Sequence, residues 1–336
     1  MERRGNAAVT RTRYPARVKY SWKLLRAGEF RLDGGSMFGL IPRVVWSRSV
    51  PTDELGRITV QHNCLLLEGG GRLILIEAGT GDKLDSKSRS IFALTDRTVE
   101  TALHEADCPA SSIHAAITTH LHFDHSGGLT RPARPGESSD WHGPASGMAG
   151  ARPDHGVKLT FPNARVYTQR REWGDALANR SVMTRTYFAD HLEPLRELLV
   201  LVDSPRPFAT GFTPDRQQMP ITTAAMRTTE LPGLPGIGVF LAPGHTWGQQ
   251  AVIFTDTRDR RIVFTPDVIP TAAHVGQAYS LAYDVEPYTS CITRHWFLRE
   301  ASENNWLLVL DHEPGNPCHR VQANDKGWFD LIPDSP

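Results

Sequence analysis

Residues 119–128 read Thr-His-Leu-His-Phe-Asp-His-Ser-Gly-Gly, three imidazoles and one carboxylate packed into six positions directly after a short apolar run. Packing gains nothing from such a cluster. Imidazole nitrogens and carboxylate oxygens are, however, the donors that Zn, Fe, Mn or Co accept, and no thiolate lies nearby. In an extended segment residues two apart share a face, so His120, His122 and Asp124 are expected to point the same way. His125 reaches that centre only if the chain turns, which Gly127 and Gly128 permit. Four donors this close crowd a single tetrahedral ion and divide more naturally between two ions, each completed by distant residues.

The rest of the chain offers those residues at the ends of apolar runs. His245 follows the strand-like stretch 237–242, Asp267 follows 261–265, and Asp311, His312 and Glu313 follow 306–310. A lone His such as His104, His191 or His295 reads as a surface or packing residue. His142 and His155 sit in a segment whose composition argues against ligation. Strand and helix signals alternate over most of the length. Residues 58–67 and 72–77 read as a hairpin, 113–119, 164–168 and 249–255 as further strands, and 99–107, 170–178, 187–200 and 288–303 as helices. Two stretches rich in Pro, Gly, Ser or Thr break the rhythm. Residues 131–160 are expected to form a long loop or insertion beside the metal motif, walling the substrate pocket with Trp141 against it, and residues 203–236 to wrap the surface.

Composition narrows the class. The 336 residues are 40% hydrophobic and 22% charged, which is globular, with 37 Lys+Arg against 37 Asp+Glu. Zero net charge disfavours a nucleic-acid surface covering the molecule. The four cysteines are widely spaced and read as packed, reduced thiols, consistent with a cytoplasmic setting. No apolar run is long enough to span a bilayer. The first residues carry Arg3, Arg4, Arg11, Arg13, Arg17, Lys19, Lys23 and Arg26, so 1–27 reads as a basic tail and 28–336 as one domain.

The His-x-His-x-Asp-His run, followed by Gly244-His245, Asp267 and a late His312 at strand ends, resembles the metallo-β-lactamase-fold hydrolases. Leu32-Asp33-Gly34-Gly35-Ser36-Met37-Phe38-Gly39, Phe161-Pro162-Asn163-Ala164, Pro270-Thr271-Ala272-Ala273-His274 and Leu281-Ala282-Tyr283-Asp284 are similar to the quorum-quenching N-acyl-homoserine-lactone lactonase branch. The resemblance implies an α/β fold, a four-layer αβ/βα sandwich of two mixed sheets with outer helices. It assigns His120, His122 and His245 to a first metal and Asp124, His125 and His312 to a second, with Asp267 bridging. It implies two divalent ions, Zn or else Fe, Co or Mn, and a metal-bound hydroxide that attacks a lactone carbonyl, the shared water having its pKa lowered from about 15.7 toward about 7.

The implied substrate is a small lactone or ester, with neither nucleic acid nor membrane as partner, and a homodimer is left open. Asp124 is also a candidate proton carrier. Lactonases of this branch place a Tyr three residues after the bridging Asp, where this chain has Pro270, so His274 and Tyr283 are the candidate replacement donors. Glu77, at the end of the second hairpin strand, is a candidate to orient a ligand His. The competing functions are a phosphotriester hydrolase on the same centre and a mononuclear-iron persulfide dioxygenase. The latter lacks a His at the last position, which here is His312.

Overall fold

The structure, a computed structural model, describes residues 18–145, 152–183, 185–207 and 224–336. Its strands in chain order begin with β1 (Ser21–Asp33), β2 (Arg57–Gly69), β3 (Arg72–Ile76), β4 (Ala115–Ile117), β5 (Thr130–Pro132), β6 (Trp141–Ala145), β7 (Arg152–Leu159) and β8 (Arg165–Gln169). They continue with β9 (Leu199–Val202), β10 (Thr229–Glu230), β11 (Gly238–Leu241), β12 (Gln250–Thr255), β13 (Arg261–Thr265), β14 (Leu307–Leu310), β15 (Cys318–Ala323) and β16 (Phe329–Pro333). One sheet has the order β1-β2-β3-β4-β8-β9 and a second runs from β10 to β16 without β-strand exchange. Both are mixed: β3, β4, β8 and β9 pair in parallel, as do β13 and β14, and the remaining pairs within these two sheets are antiparallel.

Continuous apolar strands are what a sheet buried on both faces requires. On β2, Leu65 and Leu67 face a central core shared with Phe254, Phe264 and Val309 of the other sheet. Cys64 and Leu66 face the opposite way, against Val99 and Leu103 of the helix Val99–Glu105. On β13, Ile262 and Phe264 point to the central core, whereas Val263 meets Trp296 and Ala301 of the helix Pro287–Glu303. Helix, sheet, sheet and helix therefore form the four layers of an αβ/βα sandwich. The helix Val99–Glu105 starts where Thr98 accepts from the Thr101 amide and Thr101 answers the Thr98 amide, a reciprocal cap.

Three expectations need correction. The basic stretch does not stay outside the fold to residue 27, because β1 begins at Ser21 and pairs along β2 from Ser21 opposite Glu68 to Asp33 opposite Arg57. Its basic residues are accommodated individually: Arg26 donates to Asn63 Oδ1 at 2.8 Å and to the Glu313 carbonyl at 2.9 Å. Residues 1–17 of that stretch lie outside the described residues. Residues 131–160 are no mere loop, since β7 pairs with both β5 and β6 in a small three-stranded sheet; residues 146–151 lie outside the described residues. The stretch 187–200 is not one helix either. It divides into Ala189–Leu192, a tighter turn Glu193–Leu198 with Pro194 at its start, and β9. Of the 203–236 segment, residues 208–223 lie outside the described residues.

Candidate metal centre

β4 ends at Ile117, and the chain then passes through Thr118–His122, outside regular structure, before one short helical turn, Phe123–Ser126. His120 and His122 join one group, as expected. The helical turn, rather than a continuing strand, brings Asp124 and His125 round to the same side. Ser126 Oγ holds the turn shut against the carbonyls of Leu121 and His122, both at 3.0 Å. Gly128 is needed immediately after it, because a Cβ there would stand 2.1 Å from the Ala78 carbonyl.

From the other sheet, loops after β11, β13 and β14 deliver His245, Asp267 and His312. His122 Nδ1 and His245 Nε2 lie 2.9 Å apart, and one ligand nitrogen of His120 completes a trio within 4.8 Å. His125 Nε2 and His312 Nε2 lie 3.2 Å apart, in a second group with Asp267 and Asp311. Asp267 stands between the groups: Oδ2 is 3.1 Å from His245 Nε2 and Oδ1 is 3.3 Å from His312 Nε2.

These side chains fit divalent ions. An ion that binds imidazole nitrogen at about 2.0–2.1 Å draws its ligands to roughly 3 Å from one another, the spacing seen in both groups. His120 Nε2, Asp267 Oδ1 and both Asp311 oxygens are buried without a hydrogen-bond partner, which is costly unless something meets them. The electrostatics also ask for positive charge. Burial opposes ionisation of Asp267, yet His245, His312 and His125 outweigh it and hold the carboxyl well below its usual range. Burial likewise works against a charged His312, but Asp311 and Asp267 raise its pKa well above that of a free imidazole. Burial pushes Asp311 well up. Burial and the neighbouring imidazoles keep His120 and His122 well below the usual value, hence neutral and ready to ligate.

All seven ligands expected from the sequence converge, with one difference of detail. Asp124 stays at 3.8 Å from His125 Nε2 and 3.7 Å from His312 Nε2, outside the closest second group, where Asp311 stands. Its position beside His312 was visible in the sequence; its inward orientation was not. Partners that orient the ligands surround the centre. Glu77, held at a positive φ of 66° at the end of β3, accepts from the Thr119 amide and meets His125 Nδ1 at 3.1 Å. Asp284 meets His245 Nδ1 at 3.0 Å. The Gln61 carbonyl meets His312 Nδ1 at 3.0 Å.

The structure does not bring His274 to the reacting region. Its ring stacks on Phe38 with centroids 4.6 Å apart, and its nitrogens are engaged by Thr271 Oγ1 and the Met37 carbonyl, both at 2.8 Å. Tyr283 does reach a cavity of about 270 Å³ that His122, Asp124, His245, Asp267 and His312 also line. Burial raises the Tyr283 hydroxyl, so it stays un-ionised. The apolar walls come from Leu32, Met37, Ile91, Phe92, Phe123 and Met183. Among the described residues none within 131–160 lines it, which corrects the expectation for Trp141; residues 146–151 of that segment lie outside the described residues.

A family model described as the metallo-β-lactamase superfamily matches residues 57–309, a span holding every candidate ligand except Asp311 and His312. The chain belongs to the metallo-β-lactamase superfamily. Solved structures agree with this superfamily fold along nearly the whole chain. A probable metal-dependent hydrolase from Staphylococcus aureus superposes with a TM-score of 0.69 at 22% identity, over 95% of this chain and 98% of that one. AidC, a dizinc quorum-quenching lactonase in complex with its product, gives 0.65 at 17% identity over 94% and 95%. AbOPH, a hydrolase of the β-lactamase superfamily, gives 0.64 at 18% over 96% and 99%. At such identities the likeness shows the fold. A sequence search of curated proteins finds no match. No helix among the described residues is long and apolar enough to cross a membrane.

Proposed function

We propose that this metallo-β-lactamase superfamily member is a dinuclear-metal hydrolase that opens the lactone ring of N-acyl homoserine lactones. Asp267 carries the reading: its two oxygens face the two histidine groups at 3.1 and 3.3 Å, on the wall of a largely apolar cavity. The lactonase named among the solved structures, bound to an opened acyl homoserine, supports the substrate class. His120, His122 and His245 would hold one divalent ion, His125 and His312 with Asp124 or Asp311 the other, and Asp267 would touch both. Such ions supply Lewis acidity that lets water act as a nucleophile near neutral pH and polarises a carbonyl.

The chain's own groups do the rest. Asp124, on the cavity wall, takes the proton of the attacking water and returns it to the leaving alkoxide. Tyr283 replaces the hydroxyl that Pro270 cannot offer and donates to the carbonyl oxygen as it gains charge. The walls of Leu32, Phe92 and Met183 receive the acyl chain and exclude water. Ligands drawn from both sheets support reading the two sheets as one hydrolase unit.

Turnover of a homoserine-lactone series with short to long acyl chains, run beside an aryl phosphotriester, tests the assignment. Lactone opening should be the faster reaction, and His122→Ala or Asp267→Ala should lower it more than about 10³-fold in a folded protein. Phosphotriester turnover with inert lactones would move the substrate assignment.

A further inference from the structure

Glu172 is fully buried and is neither a ligand nor part of the cavity wall, yet three donors from three segments converge on its carboxylate. Oε1 accepts from the Leu121 amide at 3.0 Å, and Leu121 is the residue between His120 and His122. Oε2 accepts from Thr246 Oγ1 at 2.6 Å, and Thr246 follows His245. Tyr187 Oη donates to Oε1 at 3.0 Å, and the Tyr187 ring packs on His122 with centroids 5.0 Å apart. Both loops that carry the histidine trio, and the Tyr187 ring that packs on it, are thus tied to one carboxylate. None of the three contacts involves the second group.

Close packing holds Glu172 in place. It lies in the first turn of the helix Arg170–Leu177, and the loop carrying His245 passes so near that a Cβ on Gly248 would stand 2.3 Å from the Glu172 amide. The trio itself comes from two different sheets, the first two histidines following β4 and the third following β11. Gln250, where the His245 loop enters β12, also donates its amide to the Thr119 carbonyl at 2.8 Å, and the three bonds to Glu172 add ties at Leu121 and Thr246, the residues next to the histidines themselves.

We propose that Glu172 is the positioning residue of the first metal site: it clamps the loop after β4 to the loop after β11, and so sets the spacing of His120, His122 and His245. The proposal rests on the reading that this trio holds a divalent ion. Metal counting after dialysis against graded chelator separates the two. In the wild type two ions per chain are expected. Glu172→Ala should weaken retention at the first site by about 10–100-fold, the usual range for removing a group that orients ligands, and leave the second ion in place. Glu172→Gln keeps an acceptor for Leu121 and Tyr187, while the Thr246 hydroxyl can turn to accept from its amide; it should recover most of the loss.

The site is identified by background. In a His312→Ala chain, which relies on the first site, Glu172→Ala should leave the chain nearly free of metal. In a His245→Ala chain it should change little. If Glu172→Ala does not fold, Thr246→Val and Tyr187→Phe each remove one tie and should give smaller losses in the same direction. A folded Glu172→Ala chain retaining both ions at wild-type chelator concentrations would overturn the proposal, as would equal loss from both sites. A wild-type chain that binds no metal would instead overturn the reading beneath it.

Discussion

His274 shows how chemistry and packing can look alike in a sequence. It follows Asp267 by seven residues and belongs to a segment similar to lactonases, yet both of its nitrogens are satisfied inside the fold. Burial lowers its pKa from 6.5 to about 3. The unfolded chain therefore binds a proton near pH 6.5 that the folded chain refuses, so stability is full above that pH and falls as pH drops toward 3. At pH 5 this residue alone should cost about 2 kcal/mol. Urea unfolding of the metal-free protein at pH 7 and pH 5, compared with His274→Gln, should show the pH difference shrinking by about that amount. An unchanged difference would mean that His274 is protonated in the fold. The histidines that gather in the two groups were legible because three imidazoles and an aspartate in six positions serve no packing purpose. Asp311 was legible only as one of three polar neighbours at a strand end, and Glu172 was not, because an acidic residue in a helix's first turn reveals nothing of whether it faces inward.

At the scale of elements, strands buried on both faces were readable from continuous apolar runs: β2, β3, β11, β12, β13 and β14 lie where those runs lie. β1 was hidden by Lys23, Arg26 and Arg31, whose charges find partners or solvent along a strand that still buries Leu25 and Phe30. The β5-β7-β6 sheet was hidden because Pro, Gly and Ser suppress any periodic signal, while backbone pairing does not need one. Its location has a consequence for specificity. Trp141→Ala should leave the acyl-length profile of kcat/KM unchanged, whereas Met183→Trp, which narrows the cavity, should penalise long chains relative to short ones by roughly tenfold. A shifted profile in the Trp141 variant would return that segment to the substrate site.

For the whole molecule, zero net charge conceals a local imbalance. Asp124, Asp267, Asp311 and Glu77 gather around the second histidine group, where buried carboxylates repel one another unless cations intervene. Chelation should therefore lower the thermal midpoint of the entire protein, and restoring metal should raise it in a concentration-dependent way. A midpoint indifferent to metal would argue that the centre binds none. The sandwich brings four loops, after β4, β11, β13 and β14, from two sheets to one edge, and the dinuclear reading depends on both histidine groups being filled together. Its most direct test is to strip the protein of metal, return zinc in fractions of an equivalent, and follow acid release from an N-acyl homoserine lactone. Ring opening should rise until two equivalents per chain are bound and then level off. Levelling at one equivalent, or two bound ions with no ring opening, would contradict it.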